Sequence, residues 1–390
     1  MPTRRQILAG MAVLPLAGMA FPALGAQGDG DRRLVVVVLR GAMDGLSAVP
    51  AFGDPDFARL RGPLDLGRPG GEGGVLDLDG TFGLHPRLAG LHRLYGKGEL
   101  AVIHAVATPY RERSHFSGQD TLENGTSSAT GARDGWLART LPMVTPDDAV
   151  AVAESVPYLL RGAAHVTAWT PSRRMPVDED TMDRLETLYA EDPALSNVLG
   201  EALLADSLAG EPEPAQPGAP RRDRFQVQMS AAARFLSQPS GPRIAVLNSV
   251  GWDTHINQPG RLERQFTSLD AGIEALRAGL GNAWRRTAVL VVSEFGRTVA
   301  INGSRGTDHG TGGAAFLLGG AVNGGRVLAD WPGLAQDRLL DGRDLRPTLD
   351  LRAVAKGVLH DHLKIAGGAL DSRIFPESGS ARAVRDLIRA

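Results

Sequence analysis

The chain contains no cysteine. That excludes a disulfide framework, a thiolate zinc site and a cysteine nucleophile together, so any metal must be held by oxygen and nitrogen. It also lacks an excess of either charge, with a formal net charge of -2 over 390 residues. With no basic field to hold a phosphate backbone, nucleic acid is excluded as a partner. Beyond Leu24 no apolar run approaches the ~18 residues of a membrane span, so the mature form is expected to have no stable span. Internal repeats, heptads and a Rossmann glycine signature are missing as well. What remains, 43% hydrophobic and 22% charged, is ordinary globular composition with length for one large domain or two smaller ones.

The N-terminus carries an address. Arg4 and Arg5 precede an apolar run from Ile7 to Leu24, and Ala23-Leu24-Gly25-Ala26 offers small residues for cleavage. Residues 1–26 therefore read as a twin-arginine signal peptide, which makes the translocase a partner during export and the periplasm, or another exported location, the destination. The alternative is a single membrane anchor, and two features count against it. Pro15 and Pro22 interrupt the run, and the polar Gln27 to Asp31 follows it.

Four continuous apolar runs, Leu34–Leu39, Leu100–Ile103, Ile244–Leu247 and Ala288–Val292, suit strands buried on both faces. Helical spacing lies between them at Pro86–Tyr95 and Leu262–Leu280. This predicts an α/β fold: three layers, with a mostly parallel central sheet and helices on both faces, binding ligands beyond the carboxyl ends of its strands. Ala314–Leu318 reads as a fifth strand, Gly324–Leu328 as a turn into a short edge strand, and Asp344–Val358 as a helix. One α/β domain is expected over residues 32–380. Within it, residues 150–240 read as an inserted helical and linker segment, with an acidic helical stretch Thr181–Ala209 and a Pro/Gly-rich linker over 210–218.

Polar residues collect just past these strands. Asp44 follows the first, Asp253 and His255 the third, Glu294 ends the fourth, and Asp308 and His309 precede the fifth. Any one aspartate beside glycine is an ordinary turn former, but four strand-edge segments delivering carboxylates and imidazoles to one rim predict a divalent metal site. One or two ions of zinc, manganese, magnesium or calcium fit such donors. Asp253 and His255 are two apart, so an extended backbone points them to the same side. After the second strand, Ser114 is the candidate nucleophile, with His115 or a nearby ion to activate it. Arg111, Arg113 and Arg297 are candidate anion clamps. A helix N-terminus capped by Ser114 or Ser117 explains the same stretch without chemistry. His85, His92, His104 and His165 lack clustered partners and read as structural.

The segments Leu39–Leu46, Arg113–Phe116, Gly251–His255, Ser293–Thr298 and Thr307–Gly310, after a twin-arginine signal, together resemble the bacterial family called domain of unknown function 1501. The match spans about residues 32–365, and that family is similar to the alkaline-phosphatase and sulfatase superfamily. The resemblance implies a central mixed sheet and usually two metal ions. It makes Asp44 a first-strand ligand, Ser114 the nucleophile region, Asp253 with His255 a pair on one ion, Glu294 a strand-end acid and His309 a late ligand. Conversion to formylglycine needs cysteine or serine at a position that Trp169 occupies in the nearest string, Trp169–Arg173, so that kind of sulfatase is excluded. The expectation is an exported metal-dependent hydrolase acting on a small anionic ester, phosphate or related. The alternative on the same fold is a non-catalytic exported binding or assembly protein with a structural metal.

Overall fold

In the computed structural model, which describes residues 31–144, 148–171, 179–189, 192–209 and 223–389, the five apolar runs form strands of one sheet. The expected signal peptide, residues 1–26, and the expected 210–218 linker lie outside the described residues. The strands are β1 (Arg33–Arg40), β2 (Leu76–Asp77), β3 (Gly83–Leu84), β4 (Leu100–Ala107), β5 (Ala149–Val152), β6 (Val166–Ala168), β7 (Ile244–Val250), β8 (Thr287–Val292), β9 (Gly313–Leu318), β10 (Arg326–Leu328) and β11 (Leu349–Asp350). β2 and β3 pair as a separate hairpin. The central sheet runs β10-β4-β9-β8-β1-β7-β5-β6, with β11 also on β4.

Three layers follow directly from the alternation of side chains along each strand. In β1, Val35, Val37 and Leu39 enter one core while Leu34, Val36 and Val38 enter the other. The same division occurs in β7 and β8, so the β-branched runs are buried twice over, as a central mostly parallel sheet requires. One face is covered by the helices Gln258–Leu280 and Arg224–Ser237. The first presents Leu262, Phe266, Leu269, Ile273, Leu276 and Leu280 at alternating spacings of three and four, one apolar stripe on the sheet. The opposite face is covered by Leu351–Leu363 and Trp136–Thr140.

Two boundaries differ from the sequence reading, and one strand direction completes it. The C-terminal helix begins at Leu351, not near Asp344, because Pro347 forces extended backbone ahead of it and the Asp350 carboxylate caps its first turn through the Arg352 N–H. Residues 150–240 are only in part an insertion: β5 and β6 extend the sheet, and Arg224–Ser237 packs on it. What lies outside the sheet narrows to the helices Glu179–Tyr189 and Pro193–Ala209, the second of which buries Ala205 and Ala209 in the same core. Finally, β9 is antiparallel to β8 and β4. That reversal matters for the site: β1, β4, β7 and β8 end at one edge, and the segment that precedes β9 arrives at the same edge. Among the described residues no helix is long and apolar enough to cross a membrane.

Candidate metal centre

The turn after β7 is built to hold two side chains outward. Trp252 and Thr254 are fully buried, Trp252 against Phe266 with its indole N–H donating to Ser249 Oγ. The alternation of extended chain then sends Asp253 and His255 the other way, and His255 Nε2 reaches Asp253 Oδ1 at 2.9 Å. Gly41, at the end of β1, has φ +118°, and a Cβ there would stand 2.5 Å from the Asp253 backbone nitrogen. Only glycine lets these two strand ends approach so closely.

Two more imidazoles close on the same oxygen. His115 opens the helix His115–Asn124 after β4, and its Nε2 lies 3.5 Å from Asp253 Oδ1. His309, delivered by the reversed β9, has its Nε2 at 3.3 Å from that oxygen and 3.0 Å from His255 Nε2. Among the described residues, His115, Asp253 and His309 place one donor atom each within 4.8 Å of one another.

The far nitrogen of each ring determines what the near one can be. His115 Nδ1 meets Glu294 Oε1 at 2.8 Å, His255 Nδ1 meets Asp308 Oδ1 at 3.2 Å, and His309 Nδ1 meets the Arg113 carbonyl at 2.8 Å. All three partners only accept, so each Nδ1 carries a proton, and a ring that is neutral offers its Nε2 lone pair toward Asp253. His115 Nε2 is buried with no hydrogen-bond partner. Arg297 Nη1 donates to the same oxygen, 2.7 Å from Asp253 Oδ1. Burial alone would raise the Asp253 pKa, but the hydrogen bond and charge of Arg297, with His255 and His115, lower it to about 2. The hydrogen bond that His115 donates to Glu294 raises the His115 pKa, whereas burial lowers that of His309. Converging lone pairs and a carboxylate call for a cation. The edge of a tetrahedron with bonds near 2 Å is about 3.3 Å, the scale of these separations. The residues therefore fit a divalent ion on nitrogen and oxygen.

Of the residues singled out in the sequence, Asp253, His255 and His309 come together, and His115 joins them as a donor in place of the base role expected of it. Glu294, fully buried, stands one step back: Oε1 accepts from Gly41 N–H, His115 and Gln119, and Oε2 from Ser293 Oγ. Although burial opposes it, these hydrogen bonds, His115 first, hold Glu294 below the usual carboxylate range. Asp308 likewise orients His255, itself steadied by Asn302. Such outer carboxylates fix ring orientation and raise basicity.

Asp44 is not brought to the cluster. It caps a short turn through Leu46 and Ser47 N–H, and its second oxygen accepts from Arg61 at 2.5 Å, Gln258 at 2.5 Å and Ser47 Oγ at 2.9 Å. The expected arginine clamps are committed too. Arg297 is buried on Asp253 and Thr307, Arg113 pairs with Asp344 and Asp341, and Arg111 donates to the carbonyls of Thr108 and Tyr110. Arg113 holds a left-handed φ of 60°, and its side-chain pairs and the His309 contact pin it there. Ser114 occupies the N-cap position but makes no capping bond; its Oγ has no hydrogen bond among the described residues. Sequence reasoning missed Gln258 and Thr307. Gln258 joins Asp44 to Thr307 Oγ1, and Thr307 accepts from Arg297, giving a continuous path to Asp253. The place of Gln258 in the first turn after Gly251–His255 was the available signal.

A family model described as "Protein of unknown function (DUF1501)" matches residues 101–374. No curated protein matches in sequence. Solved structures similar to this chain include the PsFucS1 sulfatase from Pseudoalteromonas sp., 13% identical, with 92% of this chain and 73% of that chain covered at a TM-score of 0.40. Another is the C-terminal periplasmic domain of EcEptC from Escherichia coli in complex with Zn, 10% identical, covering 89% and 87% at 0.38. A third is the alkaline phosphatase of the Antarctic bacterium TAB5, 12% identical, covering 76% and 94% at 0.37.

Proposed function

This chain belongs to the DUF1501 family of unknown function, and we propose that it is an exported metal-dependent hydrolase of phosphate or related esters. The observation that carries the reading is the convergence of three Nε2 atoms on Asp253 Oδ1, each ring held through Nδ1 by an acceptor behind it. His115, His255, His309 and Asp253 would hold the ion, which when bound supplies Lewis acidity to the ester oxygen and lowers the pKa of a hydroxyl beside it.

The chain's own groups do the rest. Arg297 keeps Asp253 ionised, and Glu294 and Asp308 keep two of the rings aimed. The Asp253 side chain is 43% exposed, which leaves a face of the centre open to an ester. Ser114, the residue before His115, supplies the nucleophilic oxygen: its bond to phosphorus forms as the bond to the leaving alcohol breaks, the alcohol takes up a proton, and water then cleaves the serine ester.

The test is metal analysis of the mature exported protein together with a panel of phosphate and sulfate esters, on wild type and Asp253→Ala. Stoichiometric metal and ester turnover in wild type, both lost in the variant, are expected. Metal without turnover of any ester would favour the binding-protein alternative. Absence of metal from wild type, even after reconstitution, would overturn the metallohydrolase.

A further inference from the structure

A cleft of about 920 Å³ opens at the carboxyl edge of β1, β5 and β7, the edge that also carries Asp253. A chain of hydrogen bonds links the cleft to the metal centre. Arg40, which lines the cleft, donates to Gln119 Oε1 at 2.7 Å, and Gln119 donates to Glu294 Oε1, the oxygen that accepts from His115. Val250, 69% exposed, lines it three residues before Asp253.

The charges on that wall do not balance locally. Four arginines and three carboxylates line it. Each carboxylate is already occupied: Glu123 holds Arg40 and accepts from Leu159 N–H, Glu154 holds Arg224, and Asp223 caps the helix Arg224–Ser237. Two arginines are left. Arg161 lies over the Tyr158 ring at 4.3 Å, and neither it nor Arg264 makes an ion pair among the described residues. Asn248, on the same wall, has a buried Oδ1 with no donor. A space of this size suits the body of a small organic ligand, and two uncommitted guanidinium forks match paired anionic oxygens.

We propose that this cleft seats the remainder of the substrate, and that the remainder carries a second anionic group held by Arg161 and Arg264. The substrate class is therefore an ester on a molecule with at least two anionic groups, one at the metal centre and one in the cleft. This rests on the hydrolase reading above.

The probes are a linear alkane bisphosphonate and the alkyl monophosphonate of equal length, which cannot be hydrolysed. Their affinities are measured calorimetrically, at low and moderate salt, on the full mature protein loaded with metal. Expected is a preference of about tenfold or more for the bisphosphonate, weakened by salt. Arg161→Gln with Arg264→Gln should erase that preference while leaving monophosphonate affinity and metal content as in wild type. Both side chains are exposed, so the fold should survive; a matched melting temperature verifies this. Equal affinities for the two probes in wild type, or a preference that survives the double variant, would overturn the cleft assignment and leave the metal centre standing. Conversely, a preference erased by the arginine changes in a protein that takes no metal would sustain the cleft as an anion site and overturn only the hydrolase.

Discussion

Asp44 and Asp253 both follow a strand of one sheet at the same edge, and their surroundings solve opposite problems. Around Asp44 every acceptor has a donor: two backbone N–H groups, Ser47 Oγ, the Gln258 amide and the Arg61 guanidinium. Burial alone would raise its pKa, yet Arg61, Ser47 and Gln258 lower it. Around Asp253, among the described residues, three imidazole Nε2 atoms and Arg297 Nη1 crowd one oxygen of a half-exposed carboxylate. A buried carboxylate with each oxygen paired is structure; a half-exposed one ringed by imidazoles has the donor chemistry of a cation site. Sequence position does not distinguish the two, whereas a count of donors does.

The strongest way to break this comparison is to unbalance Asp44. Asp44→Asn leaves the fully buried Arg61 without its counter-charge, and removing one partner of a buried pair costs about 3–5 kcal/mol. Chemical denaturation should show that loss, while the folded fraction still takes up metal in full proportion. Unchanged stability with lost metal would return Asp44 to the ligand set.

The histidines sharpen the same contrast. His104 and His362 donate Nε2–H to the carbonyls of Val49 and Arg33, so their rings are satisfied without a cation. Burial lowers both pKa values to about 4 from 6.5, against the raising effect of those carbonyls; Asp44 also raises that of His104, and Arg32 and Lys364 lower that of His362. Between those pH values the unfolded chain binds protons that the folded chain refuses. The stability is thus fully present above about pH 6.5 and is lost as pH falls toward 4, on the order of 1–3 kcal/mol for each ring. Denaturation midpoints measured from pH 7 to 4 check the slope, and His104→Gln should flatten part of it.

Much of this was legible before folding. The β-branched runs announced a doubly buried sheet, and the two-residue spacing of Asp253 and His255 announced a shared direction, because both are local properties of extended chain. The reversal of β9 was not legible, since a five-residue apolar run reads alike in either direction, although it is what brings His309 to the rim. β5 and β6, four and three residues long, were too short to separate from the helical stretch around them. The roles of Asp44 and Glu294 depended on partners far away in sequence: Gln258 is 214 residues from Asp44, and His115 is 179 from Glu294. Spacing placed these carboxylates at the edge, and only packing assigned one to an arginine and the other to an imidazole.

Glu294 offers the finest cut. It resembles a ligand in sequence, yet its carboxylate accepts from His115 Nδ1, Gln119, Gly41 and Ser293, which leaves it facing the back of an imidazole and away from Asp253. Glu294→Gln keeps the shape and removes the charge that fixes the His115 tautomer. Loss of such an outer carboxylate weakens metal binding by about tenfold or somewhat more, without abolishing it. Chelator competition on the purified protein measures that factor. Complete loss of metal would make Glu294 a ligand after all, and an unchanged affinity would mean that the ring is held by its stacking on Phe295, 5.1 Å between centroids, and not by charge. A tenfold effect lies between those outcomes because orientation tunes a donor that is already present, whereas the lone pairs on the other side of the rings create the site.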